Sequence, residues 1–191
     1  MTAQLAEVRQ ALACRLDEGG YAHSVAVAET AAQLAKRYGV DAQEAYLAGL
    51  LHDWSRDESA PSLLGEARSL GIECTAVDEA VPYLLHGRVG ALSVKERFPG
   101  LESRIITAIE RHTFGALGMS DLDKIVYLAD TIEPGRDNPA AATLRDRIGK
   151  VDLAELFEQA YAVSVEHLIR TRRPIHPTTL DVWNDLVERR R

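Results

Sequence analysis

Apolar residues recur every three or four positions along almost the whole of this 191-residue chain, and no strand-like alternation persists anywhere. Val25, Ala28, Ala31, Ala32 and Ala35 form one apolar face, so residues 22–37 read as a helix that ends near Gly39. Asp41 reads as the N-cap of the next helix, with Glu44 closing a capping box. That helix runs from Ala42 to about Leu51. Ala48-Gly49-Leu50-Leu51 is apolar on every side, so this helix belongs in the centre of the fold. Residues 53–60 read as a loop. Pro61 opens a short helix through about Leu70, which Gly71 stops. A weak helix follows over Asp78–Leu85, then Val89–Phe98, then Glu102–His112 with Ile105, Ile106 and Ile109 inside. Ser120 and Asp123 form a capping box for a helix through Ala129 or Asp130. Pro134 and Pro139 bracket a loop. Leu144–Ile148 reads as a short helix, Leu153–Ile169 as a long amphipathic one, and Thr179–Glu188 as the last.

The fold class expected is therefore all-α. A single-domain helical bundle spans 1–191, with a core over about 18–137 and C-terminal helices over 152–188 packing on it. Hydrophobic residues at 46% and charged residues at 27% exclude a disordered chain. No apolar run reaches the ~18–20 residues of a membrane span. The N-terminal residues lack the basic and apolar regions of a signal peptide. Two cysteines, Cys14 and Cys74, are too few for a disulfide scaffold or a zinc ribbon. These features place the protein in the cytoplasm, with no membrane partner. A net charge of −7 argues against nucleic-acid binding. Arg172-Arg173 and Arg189-Arg190-Arg191 read as solvated helix ends.

Six histidines are present: His23, His52, His86, His112, His167 and His176. His52-Asp53 closes the most apolar helix, His112 ends the Ile-rich one, and Asp130 ends Ile125-Val126-Tyr127-Leu128-Ala129. His86 is followed by Gly87, where backbone can approach closely. A carboxylate at the inner end of a buried helix needs a partner, and a divalent metal satisfies several such groups at once. Imidazole and carboxylate donors suit iron, manganese, cobalt, nickel or zinc. His167 and His176 read as ordinary core or surface histidines.

The ordered set of His23, His52-Asp53, His86, His112 and Asp130 resembles that of the HD-domain metal-dependent phosphohydrolases. The closer resemblance is to their YqeK-type members, the symmetrical diadenosine tetraphosphate hydrolases of bacteria. It is carried by Tyr21-Ala22-His23-Ser24, Ala48-Gly49-Leu50-Leu51-His52-Asp53, His86-Gly87-Arg88-Val89-Gly90-Ala91 and Glu110-Arg111-His112-Thr113. The most specific block is Asp130-Thr131-Ile132-Glu133-Pro134-Gly135-Arg136. The resemblance implies that His23, His52, Asp53 and Asp130 bind a first metal. It implies that His86 and His112 complete a second site bridged by Asp53, with iron as the usual ion. It further implies a dinucleoside polyphosphate substrate, ADP as product, and a homodimer.

Asp53, His86 and His112 are the expected catalytic residues. For His86 and His112, proton donation to the leaving group competes with metal ligation. His23, Arg56, His86, Gly87, His112, Thr113 and Arg136 are the expected substrate contacts, Arg136 as a phosphate clamp. Glu133 is expected to brace the metal-bound Asp130. Family members carry arginines where this chain has Gly20 and Ala116, which shifts weight onto the metals and Arg136. The competing readings are an HD phosphohydrolase of another nucleotide or phosphate ester, and a metal-containing nucleotide sensor without catalysis.

Overall fold

The structure, a computed structural model, describes residues 2–189. Arg190 and Arg191, read above as helix-end arginines, lie outside the described residues, as does Met1. Eleven α-helices and one 3-10 turn, with no strand, make up the described residues. They are α1 (Thr2–Ala13), α2 (Glu18–Tyr38), α3 (Ala42–Leu51), α4 (Ala60–Ser69), α5 (Ala76–Ala80), α6 (His86–Arg97), α7 (Ser103–Arg111), α8 (Asp121–Ile132), α9 (Pro139–Arg147), α10 (Leu153–Arg170) and α11 (Pro177–Glu188). None is long and apolar enough to cross a membrane.

The centre is α3. Ala45, Ala48, Leu50 and Leu51 are wholly buried against α2, α7 and α8. The alanine face of α2 lets this happen, because small side chains bring the two backbones close. A Cβ added to Gly49 would lie 3.0 Å from the Cα of Ala28 and 3.2 Å from the Val27 carbonyl oxygen. Asp41 caps α3 as expected, its carboxylate accepting from the N–H groups of Gln43 and Glu44. Glu44 does not close the box; its carboxylate pairs with Arg104 on α7. Ser120 and Asp123 form both arms of theirs.

Four segments differ from expectation. α1 was not legible, since among its residues of described burial only Val8 and Leu12 are fully buried. α2 begins at Glu18, where Asp17 caps it through the Gly20 N–H. The weak helix over 78–85 is two pieces: Val81, before Pro82, leaves helical geometry, so α5 ends and a 3-10 turn runs Pro82–Leu85. Pro139 does not bracket a loop but opens α9, in the first turn where its missing N–H costs nothing.

Candidate metal centre

Four helix termini and one helix face bring the expected ligands together. His23 projects from α2, His52 caps the C-terminus of α3, His86 opens α6, His112 caps α7, and Asp130 lies in the last turn of α8. Asp53 follows His52 and sits among them with 4% of its surface exposed. Its Oδ2 lies 3.3 Å from His52 Nε2 and 3.7 Å from His23 Nε2. Its Oδ1 lies 3.2 Å from His86 Nε2 and 3.7 Å from His112 Nε2. Asp130 Oδ1 is 3.1 Å from His23 Nε2 and 3.9 Å from His52 Nε2. One carboxylate thus faces two histidine pairs with separate oxygens.

The backbone orients three of the four rings in the same way. His52 Nδ1–H donates to Gly49 O at 2.7 Å, His86 Nδ1–H to Tyr83 O at 2.6 Å, and His112 Nδ1–H to Ile109 O at 2.8 Å. Each acceptor is the carbonyl three residues earlier, at a helix or 3-10 C-terminus where carbonyls run short of intrahelical partners; that of Tyr83 also accepts the His86 backbone N–H. His23 lies in mid-helix and has no such carbonyl. Its Nδ1–H donates to Glu133 Oε1 at 3.3 Å. Glu133 therefore braces a histidine and not Asp130, contrary to expectation. Arg136 holds Asp130, through Nε to its carbonyl at 2.9 Å and Nη2 to Oδ1 at 2.5 Å. Arg56 holds Asp53 Oδ2 at 2.8 Å.

With each Nδ1 donating, the Nε2 of every ring in its neutral form presents a lone pair to the centre. His86 Nε2 and His112 Nε2 stand 3.0 Å apart, a contact that repels unless a proton or metal ion lies between them. His23 Nε2 is buried without a hydrogen-bond partner among the described residues. His23, His52 and Asp130, and likewise His52, Asp53 and His112, place donor atoms within 4.8 Å of one another. These donors fit a metal centre, because imidazole and carboxylate atoms converge on one point and His23 Nε2 is left there without a hydrogen-bond partner.

Electrostatics agree. Burial opposes charge on His52, but the Asp53 and Asp130 carboxylates outweigh it and push its pKa up to about 9. Burial and the neighbouring His52 and His86 push His112 down to about 3. Against their burial, Asp53 and Asp130 are held well below the usual carboxylate range, by His52 and His86 for Asp53, and by His23, His52 and Arg136 for Asp130.

The cluster opens into a cleft of about 890 Å³. Asp53, Arg56, His86, His112, Thr113, Asp130 and Arg136 line it. Gly87 contributes by what it lacks: a Cβ there would lie 2.7 Å from Thr113 Oγ1 and 3.1 Å from His112 Cε1. Among the expected contacts, His23 and Gly87 do not line the cleft.

Sequence reasoning missed three features. Tyr83 lies on the cleft, its ring centroid 4.6 Å from that of His86. Asp78, fully buried, accepts from Arg88 Nη2 at 2.5 Å and from Thr75. His176 is a buried core histidine, within its expected reading, but its partners were not legible. Its Nδ1 caps α11 by accepting the Thr178 N–H, so Nε2–H faces Asp78 Oδ2 at 3.3 Å. Its ring stacks on Phe114, with centroids 4.0 Å apart. Phe114 sits two residues past His112, so this network ties α11 to the loop that carries a ligand. Only the adjacent Pro177 hinted at a cap.

The HD domain family model matches residues 20–135, more than half of the chain and the whole ligand set. The chain is 36% identical over 177 residues to the symmetrical bis(5'-nucleosyl)-tetraphosphatase of Halalkalibacterium halodurans, covering 90% of this chain and 91% of that one. It is 32% identical over 181 residues to the protein of that name from Bacillus subtilis, covering 93% and 96%. A crystal structure of a "predicted HD superfamily hydrolase involved in NAD metabolism" from Clostridium acetobutylicum matches with a TM-score of 0.90 at 31% identity, over 97% of both chains. On this likeness of sequence, fold and ligand set, the chain belongs to the HD-domain family and, within it, to the family of these symmetrical bis(5'-nucleosyl)-tetraphosphatases.

Proposed function

We propose that this protein is a metal-dependent hydrolase that cleaves diadenosine tetraphosphate at its central bridge, giving two ADP. The observation that carries the reading is the convergence of four imidazole Nε2 atoms on the two oxygens of Asp53, each ring tied back through Nδ1. His23, His52, Asp130 and Asp53 Oδ2 would hold one ion. Asp53 Oδ1, His86 and His112 would hold a second. We take iron as the resident ion, which this imidazole and carboxylate donor set suits. Bound there, such ions supply charge neutralisation at phosphoryl oxygens and a water acidic enough to ionise near neutral pH.

The residues around the donors prepare the site. Glu133, Arg136 and the three carbonyls fix the ligand geometry before substrate arrives, so little reorganisation is needed in the transition state. Arg136, with its side chain 41% exposed at the cleft, reaches towards the phosphates while holding Asp130. Thr113 Oγ1, 3.3 Å from His112 Nε2, offers a further hydrogen bond beside the reacting bridge. The overall reaction adds water oxygen to one central phosphorus. The bridging oxygen stays with the other, and the two protons of water are released as the two new terminal phosphates ionise.

Product identification tests the reading. Protein reconstituted with iron or manganese and given diadenosine tetraphosphate is expected to yield ADP alone. Formation of ATP and AMP, or no cleavage with the metal present, contradicts it.

A further inference from the structure

The cleft has a second wall that the ligand cluster does not use. It is built by the end of α10 and the turn that follows: Ser164, His167 and Arg170 on the helix, then Arg173. Arg172, in the left-handed region at φ 55°, ends the helix and lets Arg173 N–H bond back to Leu168 O at 3.0 Å. That turn returns Arg173 to the cleft. This wall lies beyond residue 135, where the match to the HD family ends.

The two walls differ in how their arginines are engaged. On the ligand side, Arg56 is held by Asp53, and Arg136 by Asp130. On the α10 side, Arg170 and Arg173 are exposed and make no ion pair with any described residue. Glu166 is the one carboxylate on that wall among the described residues. In a chain of net charge −7, two unpaired guanidinium groups on the wall of a polyphosphate-sized cleft form a local positive field.

We infer that Arg170 and Arg173, with His167 beside them, form an anion subsite for the phosphates of the half of the substrate that lies away from the metal donors. The inference rests on the proposed function. Cleavage at the central bridge places that bridge at the donors, so one nucleoside diphosphate half must extend along the cleft. A guanidinium matches phosphate oxygens bidentately. The subsite selects for substrates long enough to span both walls, and it holds one ADP after cleavage. Arg172-Arg173, read from sequence as a solvated helix end, thus gains a role at one of its two positions.

The test is the double variant Arg170→Ala/Arg173→Ala, both positions being exposed and outside the core. KM for diadenosine tetraphosphate is expected to rise ten-fold or more, with the loss falling on KM and not on kcat. Arg170→Lys/Arg173→Lys should recover a large part of it. Salt should raise KM more steeply in the wild type than in the alanine variant, since the field it screens is gone. An unchanged KM overturns the subsite, and so does a fall in kcat alone. Equilibrium titration with ADP separates this inference from the functional reading. A wild type that does not cleave the tetraphosphate contradicts the functional reading. Equal ADP affinity of wild type and alanine variant overturns the subsite whether or not turnover occurs.

Discussion

At the scale of single residues, four of the six candidate ligands were legible because they stand where an apolar helix ends in a polar group, whereas His23 lies in mid-helix and His86 opens one. His52-Asp53, His112 and Asp130 all break long buried runs. Their orientation was not legible, because the acceptors are backbone carbonyls or, for His23, a carboxylate 110 positions away. Arg136 was expected as a phosphate clamp, and its bonds to Asp130 give it a second task. Arg136→Ala should therefore raise KM for diadenosine tetraphosphate at least ten-fold and also weaken metal binding by roughly 10–100-fold. Kinetics alongside a metal titration read the two effects separately. A changed KM with unchanged metal affinity would show that Asp130 needs no brace. Gly87 gives a sharper test of packing. In Gly87→Ala the new methyl must displace the Thr113 hydroxyl and press on His112. A loss of about 1–3 kcal/mol of stability is expected from such overpacking, with kcat reduced at least ten-fold. A variant with wild-type kcat would show that the His112 position tolerates the shift.

At the scale of elements, capping chemistry located helices better than periodicity did. Asp41 and Ser120 marked α3 and α8 correctly because their side chains satisfy N–H groups that only a helix start leaves open. Only the end of α9 was read, as Leu144–Ile148; its start was hidden, since Pro139 signals a break and a first turn equally well. α1 was hidden because its buried stripe is thin. The contact that sets the site is the close approach of α2 and α3, which places His23 beside His52 with ring centroids 5.3 Å apart. Gly49 allows it. Gly49→Ala meets backbone of Ala28 and Val27, which cannot rotate away. It should cost about 1–3 kcal/mol, and it should lower metal affinity because His23 is carried away from His52. Chemical denaturation and metal titration of the same sample check both. A destabilised variant with full metal affinity would separate the packing of α2 on α3 from the geometry of the centre.

At the scale of the whole molecule, the net charge of −7 says little about the cleft. The sequence could not show that residues from α10 meet the ligand cluster across one cleft, because that meeting depends on the path of the chain after α8. The buried cluster also gives the metal-free protein a defined pH response. His52, raised from its ordinary 6.5 to about 9, stabilises the fold while protonated, and this is lost as pH rises from 6.5 through 9. His112, lowered from 6.5 to about 3, works the other way: the unfolded chain takes up its proton first, so stability falls as pH drops from 6.5 towards 3. Asp53 and Asp130, held low, add to the loss below the ordinary carboxylate value of 3.8. The metal-free protein should therefore have its highest Tm near pH 6.5. With metal bound the alkaline limb should flatten, because the ion replaces the proton on the cluster. Thermal unfolding of both forms across this range checks the sign. A metal-free Tm that keeps rising from pH 6.5 to 9 would contradict the assignment of His52.

The central claim is that Asp53, Asp130 and the four histidines form a metal centre. Elemental analysis of wild type and His52→Ala, purified and reconstituted side by side, tests it most directly. Wild type should carry one to two equivalents of a transition metal, and a His52→Ala protein that is still helical should carry less than about a tenth of one. Wild type that takes up no metal on reconstitution, or a His52→Ala variant that retains the full complement, would contradict the account.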